Sequence, residues 1–244
     1  MHFITSSFLA SFVFVSGLVS AGAPEVAVDV GHGLVDGGAR SARGRQEFEF
    51  NREFAGILVD ALRQRDLAVR EVNFDGLIGS LAERPRQAAG STFFVSIHHD
   101  SIASNWLQTW DWDGVEESYT DVKRGFGIFV SERNPDLATS LRCASTIGAV
   151  LRRRGFVPST WHSRKHLAAD AANGVWYYDN LVVLHRTNLP ALLFEAGVIK
   201  HREEELELRD PERQATMADA LATGLAACLS VGPPKLAVRG RLRK

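Results

Sequence analysis

Two stretches of the chain are apolar at nearly every position, and each stops at a histidine. They are Val26-Ala-Val-Asp-Val30, before Gly31-His32-Gly33, and Phe93-Phe-Val-Ser-Ile97, before His98-His99-Asp100. Short runs without the alternation of a half-exposed strand suit strands covered on both faces, as in parallel sheets. Elsewhere the apolar period changes. Phe50, Phe54, Ile57, Leu58, Ala61 and Leu62 recur at helical spacing within residues 50–65. Residues 81–89 read as a short helix, and residues 135–154 as a longer one closed by Arg152, Arg153, Arg154 and Gly155. Residues 67–72 and 126–131 are further strands, 181–184 and 191–194 are apolar runs separated by a turn, and Asp210-Pro211 opens a helix before the periodic segment 216–229. This order predicts a single α/β domain with a mostly parallel twisted sheet covered by helices on both faces.

At 244 residues, with 45% hydrophobic and 23% charged side chains, the chain can bury a sizeable core. Lys and Arg number 28 against 29 Asp and Glu, so no global basic field exists to hold nucleic acid, which is not expected as a partner. Cys143 and Cys228 allow at most one disulfide and stand in no Cys-x-x-Cys pair. Residues 3–19, FITSSFLASFVFVSGLV, are uncharged and lead into small residues, which predicts a signal peptide over 1–21 cut after Ala21. Retention of that run as a membrane anchor is the alternative. Residues 24–231 then make one domain without linker or repeat, followed by a basic, flexible tail over 232–244. The protein is expected to be an exported monomer, periplasmic with secretion as the alternative, because no second domain or repeat is visible beside this one.

His32 sits just past the end of a buried strand between two glycines that let the backbone turn tightly. In open α/β sheets ligands gather beyond the carboxyl ends of the strands. His98 ends a second such strand, and an imidazole buried there needs a hydrogen bond or a metal. Two histidines from two strand ends suggest zinc, for which His2Glu is an established ligand set. Glu47 and Glu49, opening the first helix, are both candidates for the carboxylate, and spacing does not choose between them. Leu189-Pro-Ala-Leu-Leu-Phe-Glu195-Ala-Gly197 places another carboxylate at the end of an apolar strand, where it can serve as an acid or base beside metal-activated water.

Taken in order, the Gly-His-Gly after a strand, Asp36-Gly-Gly-Ala39, Glu47 four residues before Asn51, Ser80-Leu-Ala-Glu-Arg84, Ser96-Ile-His98 and Phe-Glu195-Ala-Gly-Val resemble the zinc-dependent N-acetylmuramoyl-L-alanine amidases of the Amidase_3 family. The resemblance spans about residues 26 to 230. It implies zinc held by His32, Glu47 and His98, with Glu47 rather than Glu49 and His98 rather than His99 as ligands, and Glu195 as the catalytic acid–base. It also implies hydrolysis of the amide joining N-acetylmuramic acid to L-alanine in peptidoglycan or its muropeptide fragments. Departures are Gly37 in place of a Pro, His99-Asp100 in place of Ala-Asn, and Ile199-Lys200-His201 in place of a segment ending in Asn.

Residues 102–124 are longer than the family pattern and carry Trp106, Trp110, Trp112 and Tyr119 among acidic residues. They could stack on sugars, cover the metal as a lid moved by an activator protein, or form a surface excursion. Arg84, His185 and Arg186 are lesser candidates for gripping the stem peptide or supporting the zinc shell, while His162 and His166 are expected as solvated loop histidines. The rival functions are an exported zinc carboxypeptidase or deacylase acting on another amide, and a non-catalytic wall-binding module on the same fold.

Overall fold

The computed structural model describes residues 23–231; the expected signal peptide and basic tail lie outside them. Along the chain come β1 (Glu25–Val30), α1 (Glu47–Arg63), β2 (Ala68–Val72), α2 (Glu83–Gln87), β3 (Phe93–Asp100), β4 (Gln108–Trp112), β5 (Val115–Tyr119), β6 (Gly127–Val130), α3 (Leu137–Arg153), β7 (Ala168–Asp170), β8 (Val175–Tyr177), α4 (Val182–His185), β9 (Ala191–Val198), α5 (Arg202–Leu208) and α6 (Pro211–Ser230). Among the described residues no helix is long and apolar enough to cross a membrane.

Seven strands form one sheet in the order β2-β1-β3-β9-β6-β8-β7. The first four run parallel, as the two-sided burial of their sequences predicts. The direction reverses at β6, which pairs antiparallel with β9, and β7 reverses again against β8. Alternation along each strand sorts side chains into two cores. Val26, Val28, Val30, Val95, Ile97 and Phe194 join the larger, helix-covered one. Ala27, Phe94 and Leu193 join the smaller one with Val183 and Leu184 of α4. By the same period-two rule Asp29, Ser96 and Glu195 belong to the smaller-core face.

Helix termini follow capping chemistry. The Asp136 carboxylate accepts the Thr139 N–H to start α3, and Asp210 accepts the Arg213 N–H ahead of Pro211 to start α6. α1 begins at Glu47, three residues before its apolar period does, with Glu47 and Glu49 placed where the helix dipole favours anions. α3 and α6 lie close over the larger core. A Cβ on Gly224 would meet Ile147 Cα at 2.7 Å, and a disulfide joins Cys143 to Cys228.

Residues 102–124, whose sequence predicts no regular element, contain the separate hairpin β4–β5. Asp113 and Gly114 make its turn with φ of 52° and 77°, the doubly left-handed geometry that Asp-Gly favours in two-residue hairpins.

Candidate metal centre

The centre is built at the carboxyl ends of β1, β3 and β9. β1 hands over to Gly31, whose N–H donates to Ile97 O at 3.0 Å. His32 follows in the left-handed region at φ 64°, an uncommon conformation for a residue with a side chain. Its carbonyl is clamped by two donors: Asn73 Nδ2 at 2.6 Å and the Arg84 guanidinium. Asn73 also donates to Val30 O at 2.7 Å, so one amide ties the strand end to the turn.

This turn brings His32 Nε2 to 3.1 Å from Glu47 Oε2, and β3 brings His98 Nδ1 to 3.0 Å from Glu47 Oε1. Glu47 is buried and also accepts from Ala39 N and Asn51 Nδ2, each at 3.2 Å. Asn51 Nδ2 reaches Gly31 O at 3.2 Å, and its Oδ1 stands 2.8 Å from His99 Nδ1. The structure therefore separates the pairs that spacing leaves open. Glu49 turns outward to Arg45 at 2.9 Å, and His99 packs between Phe50 and Phe54 on the other face of β3. Glycine is required at Gly38, whose φ is 75°, because a Cβ there would stand 2.6 Å from the His32 ring and 2.7 Å from Glu47 Oε2.

Burial raises the cost of the Glu47 charge, but the hydrogen bonds from His32 and His98 outweigh it and hold the carboxyl below its ordinary range. One donor atom from each of His32, Glu47 and His98 lies within 4.8 Å of the others. Two imidazole nitrogens converging on a buried carboxylate are a donor set that fits a zinc ion once the nitrogens give up the protons they share with Glu47.

Glu195 pairs with His98 in the β3–β9 register, and its Oε2 is buried without a hydrogen-bond partner. Burial, then the charges of Asp100 and Glu47, push its carboxyl well above the ordinary range. It lines a cleft of about 610 Å3 together with His32 and His98, whose walls also include Val35, Leu77, Ile78, Leu81 and Leu181. The cleft can thus hold a substrate with apolar groups against a centre that combines a Lewis-acid site and a proton acceptor.

The lesser candidates separate. Arg84 is buried yet lines the cleft; its guanidinium donates to His32 O and its Nη1 lies 3.8 Å from Asp29 Oδ2, so it supports the His32 turn. Asp29 also accepts from Ser96 Oγ at 2.6 Å, a network marked in the sequence by a charged residue inside an apolar run. His185 and Arg186 do not line the cleft. His162, expected in solvent, is only 2% exposed, and His166 is half-buried with its ring 4.3 Å from that of Tyr178. The hairpin is also no lid, since none of its residues lines the cleft. It docks on the 41–43 and 200–202 segments: Trp110 Nε1 donates to Ala42 O, Arg43 covers Trp112, and Arg202 covers Tyr119. Guanidinium groups on those aromatic faces favour a surface excursion over sugar stacking.

Comparison with known proteins agrees with this architecture. A family model described as N-acetylmuramoyl-L-alanine amidase matches residues 26–227. No curated protein sequence gives a significant match. Among solved structures, an N-acetylmuramoyl-L-alanine amidase from Clostridium difficile 630 superposes with a TM-score of 0.69 at 22% identity, covering 87% of this chain and 100% of that one. The amidase Ami1 from Mycobacterium smegmatis gives 0.69 at 20%, covering 86% and 99%. The CwlD amidase from Clostridioides difficile, solved in complex with the GerS lipoprotein, gives 0.62 at 19%, covering 85% and 98%.

Proposed function

Because the chain belongs to the N-acetylmuramoyl-L-alanine amidase family, we propose that it is a zinc-dependent peptidoglycan amidase cutting the bond between the lactyl group of N-acetylmuramic acid and L-alanine of the stem peptide. The observation that carries this is the convergence of His32, Glu47 and His98 beside Glu195, which lines the cleft with its Oε2 buried and without a hydrogen-bond partner among the described residues.

His32, Glu47 and His98 are the ligands in this proposal. A zinc ion held by these residues would supply Lewis acidity to the scissile carbonyl and lower the pKa of the attacking water toward neutrality. The chain's own work is positioning and proton transfer. Arg84 and Asn73 fix the His32 turn, and Asn51 orients Glu47. Glu195, whose raised pKa favours taking up a proton, accepts one from the attacking water and returns it to the departing amide nitrogen. The apolar wall of the cleft suits the lactyl and alanyl methyl groups, whereas sugar hydroxyls would find few polar partners on it.

Export and periplasmic action belong to the same proposal, with residues 1–21 as the signal peptide, 24–231 as the catalytic domain and 232–244 as a basic tail. The Cys143–Cys228 disulfide supports this, since such bonds persist in oxidising compartments. A regulatory partner is also included. The complex of CwlD with GerS supports one, and residues 102–124 are the segment on which it would act. Mass spectrometry of purified peptidoglycan digested with the zinc-loaded protein tests the function. Stem peptides with a free L-alanine amino terminus are expected, and products cut elsewhere in the peptide would instead mark a carboxypeptidase.

A further inference from the structure

Asp100 and His162 form a buried polar pair next to Glu195 that takes no part in the proposed zinc chemistry, and any role for the pair rests on the amidase reading of that site. Asp100 closes β3 just beyond the ligand His98, after a register shift against β9. His162 lies in a single 3-10 turn, Trp161–Arg164, far away in sequence. The fold sets its Nε2 3.1 Å from Asp100 Oδ2, within ion-pair distance although not aligned as a hydrogen bond. The imidazole is fixed by apolar walls, edge-on to Phe129 at 4.9 Å and beside Trp161 at 4.3 Å.

Gly127 on β6 opens the space these groups share. A Cβ there would come 2.9 Å from His162 Nε2 and 3.9 Å from Glu195 Cβ. β6 also pairs with β9 so that Gly127 faces Glu195 in register. Asp100 and Glu195 come from the paired strands β3 and β9, two residues beyond and directly opposite His98 respectively. Yet Glu195 lines the cleft, while neither Asp100 nor His162 does.

Two partly buried carboxylates from paired strands present a problem of identity, because a free Asp100 could swing toward the same water and cation as Glu195. We propose that His162 is a positioning residue for the reaction: by holding the Asp100 carboxylate across Gly127 it keeps that group out of the cleft and leaves Glu195 alone facing the scissile bond. The ring that does this comes from the 161–164 turn, so that turn is part of the active-site architecture.

The test uses the mature, zinc-loaded protein on a purified muropeptide, with four variants: His162→Phe, His162→Gln, Asp100→Asn, and the double His162→Phe/Asp100→Asn. His162→Phe keeps ring volume and loses the polar contact. It is expected to lower kcat about tenfold to a hundredfold, the scale of a misplaced active-site group, with KM, zinc content and Tm unchanged. His162→Gln, which retains a donor, should recover most of that loss. The double variant should also recover it, because the charge needing restraint is gone. Wild-type kcat in His162→Phe, or a loss that Asp100→Asn does not relieve, overturns the proposal. Should His162→Phe not fold, Asp100→Asn alone decides: retained kcat supports the role, and abolished kcat makes Asp100 itself essential and overturns it. Absence of product from the wild-type protein overturns the amidase reading together with this inference, whereas wild-type turnover with an insensitive His162 overturns this inference alone.

Discussion

Gly31 lies beneath the imidazole of His98: a Cβ added to it would stand 2.3 Å from Nε2. The end of β1 must be bare for the second histidine to cross it and reach Glu47. Gly31→Ala is therefore expected to displace His98 while leaving the sheet in place. Zinc affinity should fall about tenfold to a hundredfold, as for other changes that misorient a ligand, with far-ultraviolet circular dichroism unchanged. Chelator competition measures it, and wild-type affinity in this variant would contradict the placement.

The apolar lining of the cleft includes Leu77 and Leu81, which are 71% and 51% exposed and so contribute little to the fold. Leu77→Asp and Leu81→Asp should each reduce kcat/KM on muropeptides, mainly through KM, without altering zinc content or Tm. Unchanged kcat/KM in both would mean that substrate does not use this wall.

Deletion of residues 105–121 addresses the hairpin. Its aromatic faces are covered by Arg43 and Arg202, and it lines no part of the cleft. Turnover of a small soluble muropeptide by the folded deletion variant should not exceed that of the intact protein. A clear rise would restore an inhibitory lid.

Burial holds the His99 imidazole neutral, with its pKa pushed down to about 3 from an ordinary 6.5. Between those values the unfolded chain takes up a proton that the native chain refuses. This group therefore costs stability as pH falls from about 6.5 toward 3, by at most about 1.4 kcal/mol per pH unit. Asp29, raised to about 7 by burial against the opposing pull of Arg84, acts in the opposite sense, since its folded form holds a proton more tightly. Comparing variants cancels that contribution. Chelator-treated His99→Phe should lose less stability than the chelator-treated wild type between about pH 7 and about pH 4.5 in urea titrations, and equal losses would refute the assignment.

The disulfide closes 85 residues between α3 and α6. Cys143→Ser with Cys228→Ser should lower unfolding free energy by about 4 kcal/mol on the chain-entropy estimate. Denaturant titration of the two proteins measures this, and equal midpoints would show that the bond adds nothing to the packing of the two helices.

Much of the site is legible in the sequence for one physical reason. A buried strand should not end in imidazole or carboxylate without a partner, so His32, His98 and Glu195 stand out at the ends of apolar runs. The choice of Glu47 over Glu49 is not legible that way. Both occupy the first turn of α1, and only the docking of that helix decides which faces the histidines. His162 is missed because its burial is made by Phe129 and Trp176, distant in sequence, while its own segment has neither helical nor strand period. The β4–β5 hairpin has a readable signal in Asp113-Gly114, hidden by the unusual exposure of the strands on both sides.

The measurement that bears most directly on the centre is a paired zinc analysis and turnover assay of wild type and Glu195→Gln. If His32, Glu47 and His98 hold the metal and Glu195 moves the proton, the variant binds zinc like the wild type and turns over muropeptide about 10²–10⁴-fold more slowly. Turnover at the wild-type rate would contradict that division of roles, as would a loss of activity explained by loss of zinc.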